Sequence, residues 1–344
     1  MPEEPSVLLE VLPLLARGSL LTRTEAARVM SAVISAREPV SRVAALLAIL
    51  KVRSPTADEI AGFVDTLLAA AIRFPLPPGL SVDTCGTGGD QKRTFNISTT
   101  TALVVAACGV AVVKHGNRSA SGRCGSADLL EHLGVKVEQP IAATVRQLHE
   151  TGFAFLFAPA YHPVLRQVAS LRREIGFPTV FNVLGPLLNP ARVRHQLLGV
   201  FDPGLQPLMA RTLALCGTER AYALHGEGGF DEATPCGRVS VHEVHRGSLR
   251  AWELDPAELG IARCAEADLV VANAHASAAL ALDVLADRAS PCRDAVVLNA
   301  ALALHVAGAA ASLGDAAELA RQALASGRAL GVLNDLRKLS AEAG

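Results

Sequence analysis

The chain predicts an α/β protein: a small N-terminal α-helical domain, then a larger α/β domain with a mostly parallel central sheet covered by helices. Three observations lead there. Residues 1–75 carry apolar side chains at helical spacing behind two capping-box signatures. Pro75, Pro77 and Pro78 then break the pattern. Beyond them, short apolar runs alternate with helical stretches, which is the pattern of strands joined by covering helices. With 344 residues, half of them hydrophobic, the chain can bury a core large enough for two domains.

In the helical part, Thr22-x-x-Glu25 and Thr56-x-x-Glu59 each announce a helix start. Val43, Leu46, Leu47 and Leu50 recur on one helical face, as do Ile60, Phe63, Val64 and Leu67. Short loops between such helices favour antiparallel packing. The proline cluster reads as a linker or hinge, dividing the chain into 1–75 and 76–344. Strands are expected at 81–84, 110–113, 153–157, 197–201, 221–225 and 269–272, and helices near 99–107, 127–133 and 141–150. Residues 239–252 read as a hairpin turning at Arg246-Gly247-Ser248. From 294 onward the chain is Ala/Leu-rich and helical. Ala295 to Gly314 is uncharged and long enough to cross a bilayer, but its alanine content, Asn299 and His305 indicate a buried core helix instead. No membrane partner is expected.

Net charge is −1 and aromatics are 4%, so neither a phosphate-backbone surface nor a base-stacking platform is indicated, and nucleic acid is not expected as a partner. The mean hydropathy of +0.32 excludes a disordered chain. The seven cysteines are scattered and form no C-x-x-C pair, which argues against a disulfide framework or a zinc site and suits a reducing cytoplasm. The N-terminus is acidic, and its apolar stretch is interrupted by Glu10, unlike a signal peptide.

The chemistry concentrates in two segments. The first is Asp83-Thr-Cys-Gly-Thr-Gly-Gly-Asp90 followed by Asn96-Ile-Ser-Thr-Thr-Thr101. Gly86, Gly88 and Gly89 allow close backbone approach, so their N–H groups can face phosphate oxygens. Ser98, Thr99 and Thr100 fall at the next helix start, where free N–H groups and the positive dipole end suit an anion. Taken alone, this loop is also compatible with a plain turn and Ser98 with a plain N-cap. It matches neither a Walker A loop nor the dinucleotide fingerprint.

The second segment is Lys114-His-Gly-Asn-Arg118, after the apolar run Val110–Val113. It belongs at the carboxyl end of a strand, where open α/β sheets bind ligands. Lys114 offers a point charge for phosphate, and Asn117 offers both a donor and an acceptor. Residues 119–126 read as a mobile loop over a ligand, with Ser126 able to cap the following helix. A solvated turn is the other reading of the same residues.

These runs, with Thr94-Phe-Asn-Ile-Ser-Thr, Gly125-Ser-Ala-Asp-Leu-Leu-Glu131, Arg172-Arg-Glu-Ile-Gly176 and Phe181-Asn-Val-Leu-Gly-Pro-Leu-Leu-Asn-Pro190, closely resemble the anthranilate phosphoribosyltransferase family of tryptophan biosynthesis. The resemblance is strong over 83–190, extends to Asp231-Glu232, and is looser toward both ends. It implies transfer of the phosphoribosyl group of phosphoribosyl pyrophosphate (PRPP) to anthranilate, with two Mg2+ ions and a homodimer joined through the helical domain, which part of 160–185 would join. By the resemblance, Gly86, Thr87, Gly88, Gly89, Asp90, Thr94, Asn96, Ser98, Thr99, Lys114, Asn117 and Ser126 bind PRPP. Gly86, His115, Asn117, Tyr161, His162 and Arg172 line the anthranilate side. Ser98, Asp231 and Glu232 hold metal, and Lys114, Asn117 and Arg172 carry the catalysis. On a loop, an adjacent carboxylate pair is more often plain solvated charge, and Arg172 beside Arg173 more often surface. His162, before a proline, reads as a turn residue without a proton-transfer role.

Two departures from the family pattern stand out. Gln91-Lys92-Arg93 follows Asp90, where the family usually has another glycine, and Ala265–Asn273 replaces a usual Gly-Gly-Asp stretch. The second region is not expected to carry the chemistry, and the change marks a divergent member. The alternatives are a paralogue with another aromatic acceptor, a pyrimidine nucleoside phosphorylase, and a non-catalytic nucleic-acid-binding relative supported only by Lys92 and Arg93.

Overall fold

The structure is a computed structural model and describes residues 6–119 and 124–342. Four helices come first: α1 (Val7–Ala16), α2 (Arg23–Ile34), α3 (Val40–Arg53) and α4 (Ala57–Ala69). Both capping boxes form, with the Thr22 and Thr56 hydroxyls accepting from the N–H groups of Glu25 and Glu59. The apolar faces read from the spacing are the buried ones, Val43, Leu46, Leu47 and Leu50 on α3 and Ile60, Phe63, Val64 and Leu67 on α4. Gly62 lets α4 cross α2 closely, because a Cβ there would come within 2.8 Å of Ala26 Cβ.

The larger part is built on seven strands, β1 (Ser81–Gly86), β2 (Ala111–Gly116), β3 (Phe153–Phe157), β4 (His195–Gly199), β5 (Arg220–Gly226), β6 (Val239–His245) and β7 (Ser248–Leu254). Their order in the sheet is β3-β2-β1-β4-β5-β6-β7. The first five are parallel, and the predicted hairpin adds β6 and β7 antiparallel. The remaining helices are α5 (Ile97–Ala107), α6 (Ser126–His132), α7 (Ile141–Thr151), α8 (Ala158–Tyr161), α9 (Arg166–Ile175), α10 (Phe181–Leu184), α11 (Gln206–Leu215), α12 (Ala274–Leu285), α13 (Pro291–Val306), α14 (Leu313–Ala325) and α15 (Arg328–Glu342). The uncharged alanine-rich run is α13, buried almost all round, where Asn299 is paired with the backbone of Ala233 and Ala295. None of the described helices is long and apolar enough to cross a membrane.

The expected strand at 269–272 does not form. Its apolar run is cut short by Asn273, whose side chain caps α12 by accepting from Ala276 N–H. Only a single bridge, Thr94 to Val270, remains.

One apolar cluster runs from the helical part into the sheet. It joins Val29, Leu47, Phe63 and Leu67 to Val168 and Leu171 of α9, Phe181 and Leu184 near α10, Leu198 of β4, and Met209 and Leu213 of α11. Beneath it, the fully buried Glu59 carboxylate accepts from Leu21 N (2.9 Å), Thr56 N (2.8 Å) and the Arg53 guanidinium (2.6 Å). It thereby ties the α1–α2 loop to the ends of α3 and α4. Glu59→Ala leaves Arg53 and two N–H groups unpaired, so a loss of about 3 kcal/mol is expected. A urea-unfolding midpoint equal to that of the parent would show that this carboxylate does not hold the loops.

Candidate active site

In the parallel part of the sheet, the chain runs from β1 outward to β2 and β3, then returns to the other side of β1 as β4. The crevice beyond the carboxyl ends of β1 and β4 is therefore the topological switch point, where open α/β sheets take ligands. Gly86 and Gly199 end these two strands and face each other in register. Both must be glycine for one reason. A Cβ on Gly86 would lie 2.6 Å from Asp231 Oδ2, and one on Gly199 would overlap the Asp231 carbonyl.

The segment carrying Asp231 and Glu232 arrives after β5 through a tight turn, with Gly228 and Gly229 at φ +89° and +92°. Asp231 Oδ2 accepts from Gly88 N–H at 2.8 Å, and Glu232 Oε1 accepts from Ser98 N–H at 3.0 Å. The two N–H groups expected to meet an anion are thus each answered by a carboxylate. Asn96 caps α5, its Oδ1 accepting from Thr99 N–H at 3.1 Å, so Asn96 rather than Ser98 is the N-cap.

Beneath the loop, Lys114 is only 1% exposed. Its ammonium donates to Thr84 O and to Ser98 Oγ (3.2 Å), so it supports the loop from below rather than projecting into the crevice. Asp83, fully buried beside it, accepts from Asn189 Nδ2 at 2.9 Å. Burial pushes the Asp83 carboxyl up to about 6, against the pull of Lys114. Burial pushes the Lys114 ammonium down, opposed first by Asp83. Asp231 and Glu232 are raised as well, by burial and then by a neighbouring carboxylate, Asp90 for Asp231 and Asp231 for Glu232. Three carboxylates gathered where their charges repel form an oxygen donor set that a hard divalent cation would relieve. Among the described residues, no three or more His, Cys, Asp and Glu side chains are placed to hold a metal ion by themselves. Mg2+ needs none, since it binds through one or two carboxylates plus phosphate and water. The donors therefore fit Mg2+.

The departure after Asp90 has a physical cost and a compensation. Gln91 and Arg93 sit at φ +58° and +59°, the left-handed region that glycine enters freely. Between them, Lys92 N–H donates to Asp90 Oδ1 (3.1 Å), and its ammonium pairs with Glu266 (2.9 Å) over the Phe230 ring (4.8 Å to the centroid). Phe95 N–H donates to Leu269 O and Val271 N–H to Arg93 O, both at 2.9 Å. The region not expected to carry the chemistry braces the glycine-rich loop, and both departures meet at one contact.

The other sequence-derived residues distribute as follows. Thr87 anchors to β4, its N–H donating to Gly199 O at 2.9 Å. Gly89, at φ +94°, lies against the Phe201 ring. Thr94 is half-buried at the bridge, and Thr99 is fully buried. Asn117 is exposed beyond β2, accepting from Arg118 N–H at 2.8 Å. Ser126 is the first residue of α6 and does not cap it; Gly125 holds that place, with its N–H taken by Asp128 (2.8 Å). Of the loop at 119–126, residues 120–123 lie outside the described residues. His115 and His162 meet edge to face, ring centroids 5.2 Å apart, and burial lowers both, His115 to about 3. Neither is charged at neutral pH. His162 Nε2 bonds Leu188 O at 2.8 Å, as befits a turn residue. Tyr161 sits in a packing cluster with Phe74, Val113 and Leu148. Arg172, half-buried on α9, rests its guanidinium over Phe181 (5.3 Å) and has no carboxylate partner among the described residues. Sequence reasoning assigned no role to Asp83, Asn189, Ser277 or Glu266. The first two lay within the quoted runs. Ser277, whose hydroxyl accepts from Asn96 N–H (3.0 Å), carried no signal of its own.

Residues 79–330 match the α/β domain of a glycosyl transferase family, and residues 9–71 match its helical bundle domain. The chain is 46% identical to anthranilate phosphoribosyltransferase of Moorella thermoacetica over 91% of this chain and 92% of that protein. It is 47% identical to the enzyme of that name from Thermomicrobium roseum, covering 96% of each. The chain belongs to the anthranilate phosphoribosyltransferase family. The solved family structure from Thermus thermophilus superposes with a TM-score of 0.91 at 40% identity, covering 98% of this chain and 99% of that one. The Saccharomyces cerevisiae structure, solved with PRPP and Mg, gives 0.88 at 25% identity over the same shares.

The raised Asp83 carboxyl sets a pH dependence. Between about pH 4 and 6 the folded chain keeps a proton that the unfolded chain has released, so this group's contribution to stability falls as pH rises through that window. Asp83→Asn is expected to flatten the slope of unfolding free energy across it, read from urea midpoints at several pH values. An unchanged slope would remove Asp83 as its source.

Proposed function

We infer that this enzyme transfers the phosphoribosyl group of PRPP to the amino group of anthranilate in tryptophan biosynthesis. The products are N-(5-phosphoribosyl)anthranilate and pyrophosphate. One observation carries the reading: the N–H groups of the glycine loop and of the α5 start converge with Asp231 and Glu232 at the switch point. An anion loop and a metal-binding carboxylate pair at one crevice suit a diphosphate bound with a divalent cation.

Gly86 to Asp90, with Thr94, Asn96, Ser98, Thr99, Asn117 and Ser126, form the PRPP side in this proposal. With Asp231 and Glu232 engaged by a cation, the N–H groups of Gly88 and Ser98 would be free to take phosphate oxygens. Ser98 serves one Mg2+, and Asp231 with Glu232 the second. Bound there, Mg2+ neutralises the negative charge that grows on the departing pyrophosphate. Lys114 adds a fixed positive charge below the α5 start that needs no reorganisation during the reaction. The sugar carbon then becomes electron-poor, and the neutral anthranilate amine attacks without a general base. Neutral His115 and His162 are consistent with that. Most of the rate enhancement is then positioning and electrostatics.

Arg172 receives the anthranilate carboxylate in a charge-assisted pair, which answers a half-buried guanidinium otherwise without an anion. Gly86, His115 and Asn117 complete that side, with Tyr161 and His162 behind them. Residues 1–75, with part of 160–185, form the helical domain of this reading, and 76–344 the phosphoribosyl-transfer domain. Leu9, Leu14, Leu20 and Val40 are all more than half exposed on the helical part, which supports a homodimer through that surface. A cytoplasmic site of action accords with the biosynthetic role.

Loss of anthranilate fluorescence with PRPP and Mg2+, abolished by EDTA, is the expected activity. Arg172→Ala should raise KM for anthranilate by roughly tenfold or more while leaving KM for PRPP unchanged. Equal effects on both substrates would place Arg172 elsewhere. Gly199→Ala displaces Asp231, and a loss of kcat/KM of about 100-fold is expected. Parent-like turnover would show that the carboxylate segment need not sit where the structure has it.

A further inference from the structure

Cys236 and Cys264 are 28 residues apart in sequence, yet their sulfurs stand 3.6 Å apart. Both are free thiols and partly exposed. They meet because the two segments that carry them are already joined on either side of the sulfurs. Cys264 N–H donates to Pro235 O at 3.3 Å, and Arg263 Nη1 donates to Cys236 O at 3.3 Å. The third cysteine of the neighbourhood, Cys292, is 2% exposed and directs its thiol to Asp268 O (3.4 Å). An oxidant arriving from solvent therefore meets one accessible pair.

The position of that pair gives it leverage. Cys236 follows Glu232 by four residues, on the segment whose carboxylates hold Gly88 and Ser98. Cys264 precedes Glu266, the partner of Lys92, and the stretch that hydrogen-bonds Arg93 and Phe95. One link between them would bind the carboxylate segment to the brace of the phosphate loop. We propose that Cys236 and Cys264 form a reversible regulatory disulfide whose closure slows turnover.

The oxidant is a peroxide. The Cys236 sulfur attacks one peroxide oxygen, the O–O bond breaks, and water leaves with the thiol proton, giving a sulfenic acid. The Cys264 sulfur then attacks Cys236 Sγ, the S–S bond forms, the S–O bond breaks, and a second water carries off the Cys264 proton. Two thiols are oxidised by two electrons in all, and one peroxide is reduced to two waters. Two thiols of a reductant reverse the step by exchange. A disulfide holds its sulfurs at ~2.05 Å, so closure brings them about 1.5 Å nearer, and the two segments move by whatever part of that side-chain rotation does not supply. Catalytic groups displaced by about 1 Å can lose roughly 100-fold in rate. The carboxylates lie close enough along the chain to feel part of that movement, and at least a tenfold fall in kcat is expected.

The slowing of turnover rests on the function proposed above, but the linkage itself does not. The full-length protein is treated with hydrogen peroxide, then mapped by non-reducing peptide mass spectrometry and assayed for anthranilate consumption with PRPP and Mg2+. The expected result is a linked Cys236–Cys264 peptide 2 Da lighter than the dithiol pair, with Cys292 still alkylated after unfolding. Activity should fall at least tenfold and return with dithiothreitol. Cys236→Ser and Cys264→Ser should each lose both responses while keeping the activity of the reduced parent. No linked peptide, or a link to another cysteine, overturns the proposal. A correct link with unchanged turnover overturns its regulatory half. If the reduced protein has no phosphoribosyl-transfer activity at all, the functional reading fails while the mapped disulfide stands.

Discussion

A buried ammonium must be answered by fixed partners, and much of this site can be understood as the answer to Lys114. Its charge is spent on the Thr84 carbonyl, the Ser98 hydroxyl and the nearby Asp83 carboxylate. Thr84 is thereby held two residues before Gly86, the first glycine of the loop, and Ser98 is held at the first turn of α5. Asp83 in turn fixes Asn189, which also donates to Val113 O on β2 (2.8 Å). The cation thus links β1, β2, α5 and the segment before β4. It sets the point from which the loop must reach Asp90, and breaking one member of such a network costs more than the pair alone is worth.

The same arrangement explains why carboxylates sit on the N–H groups of an anion loop. At the partly buried start of the loop and of α5, Asp231 and Glu232 supply acceptors for N–H groups from within the chain. They do so at a penalty, because burial and mutual repulsion raise both groups. A substrate that brings phosphate for the N–H groups and a cation for the carboxylates relieves both defects together. On the proposed assignment, binding of diphosphate and of metal would be coupled here by ordinary electrostatics.

The sequence was legible wherever local chemistry decides structure. The capping boxes, the helical faces of α3 and α4, the alternation that makes β1 to β5 and the hairpin at Arg246-Gly247 all follow from residue type and spacing. The site's motifs were legible too, but not their depth. Spacing put Lys114 at a strand end, while the side chain turned out to lie below the loop, because its direction depends on Thr84 and Ser98 across the sheet. The stretch 269–272 has strand composition, yet Asn273 takes the chain into α12. Its role as a brace rests on the backbone bonds of Leu269 to Phe95 and Val271 to Arg93, beside Lys92–Glu266, a pairing across 174 residues that no local pattern carries.

The apolar cluster that passes from the helical bundle into β4 and α11 has a consequence for how the protein could be taken apart. Arg23 adds a hydrogen bond to Leu215 O at 2.9 Å across the same seam. Removing the first seventy residues would strip Leu198, Met209 and Leu213 of their cover and present a greasy floor to water. The bundle is less a detachable module than a cover for one side of the sheet's own core, so a chimera would have to import α11 and the 165–188 stretch along with any foreign bundle.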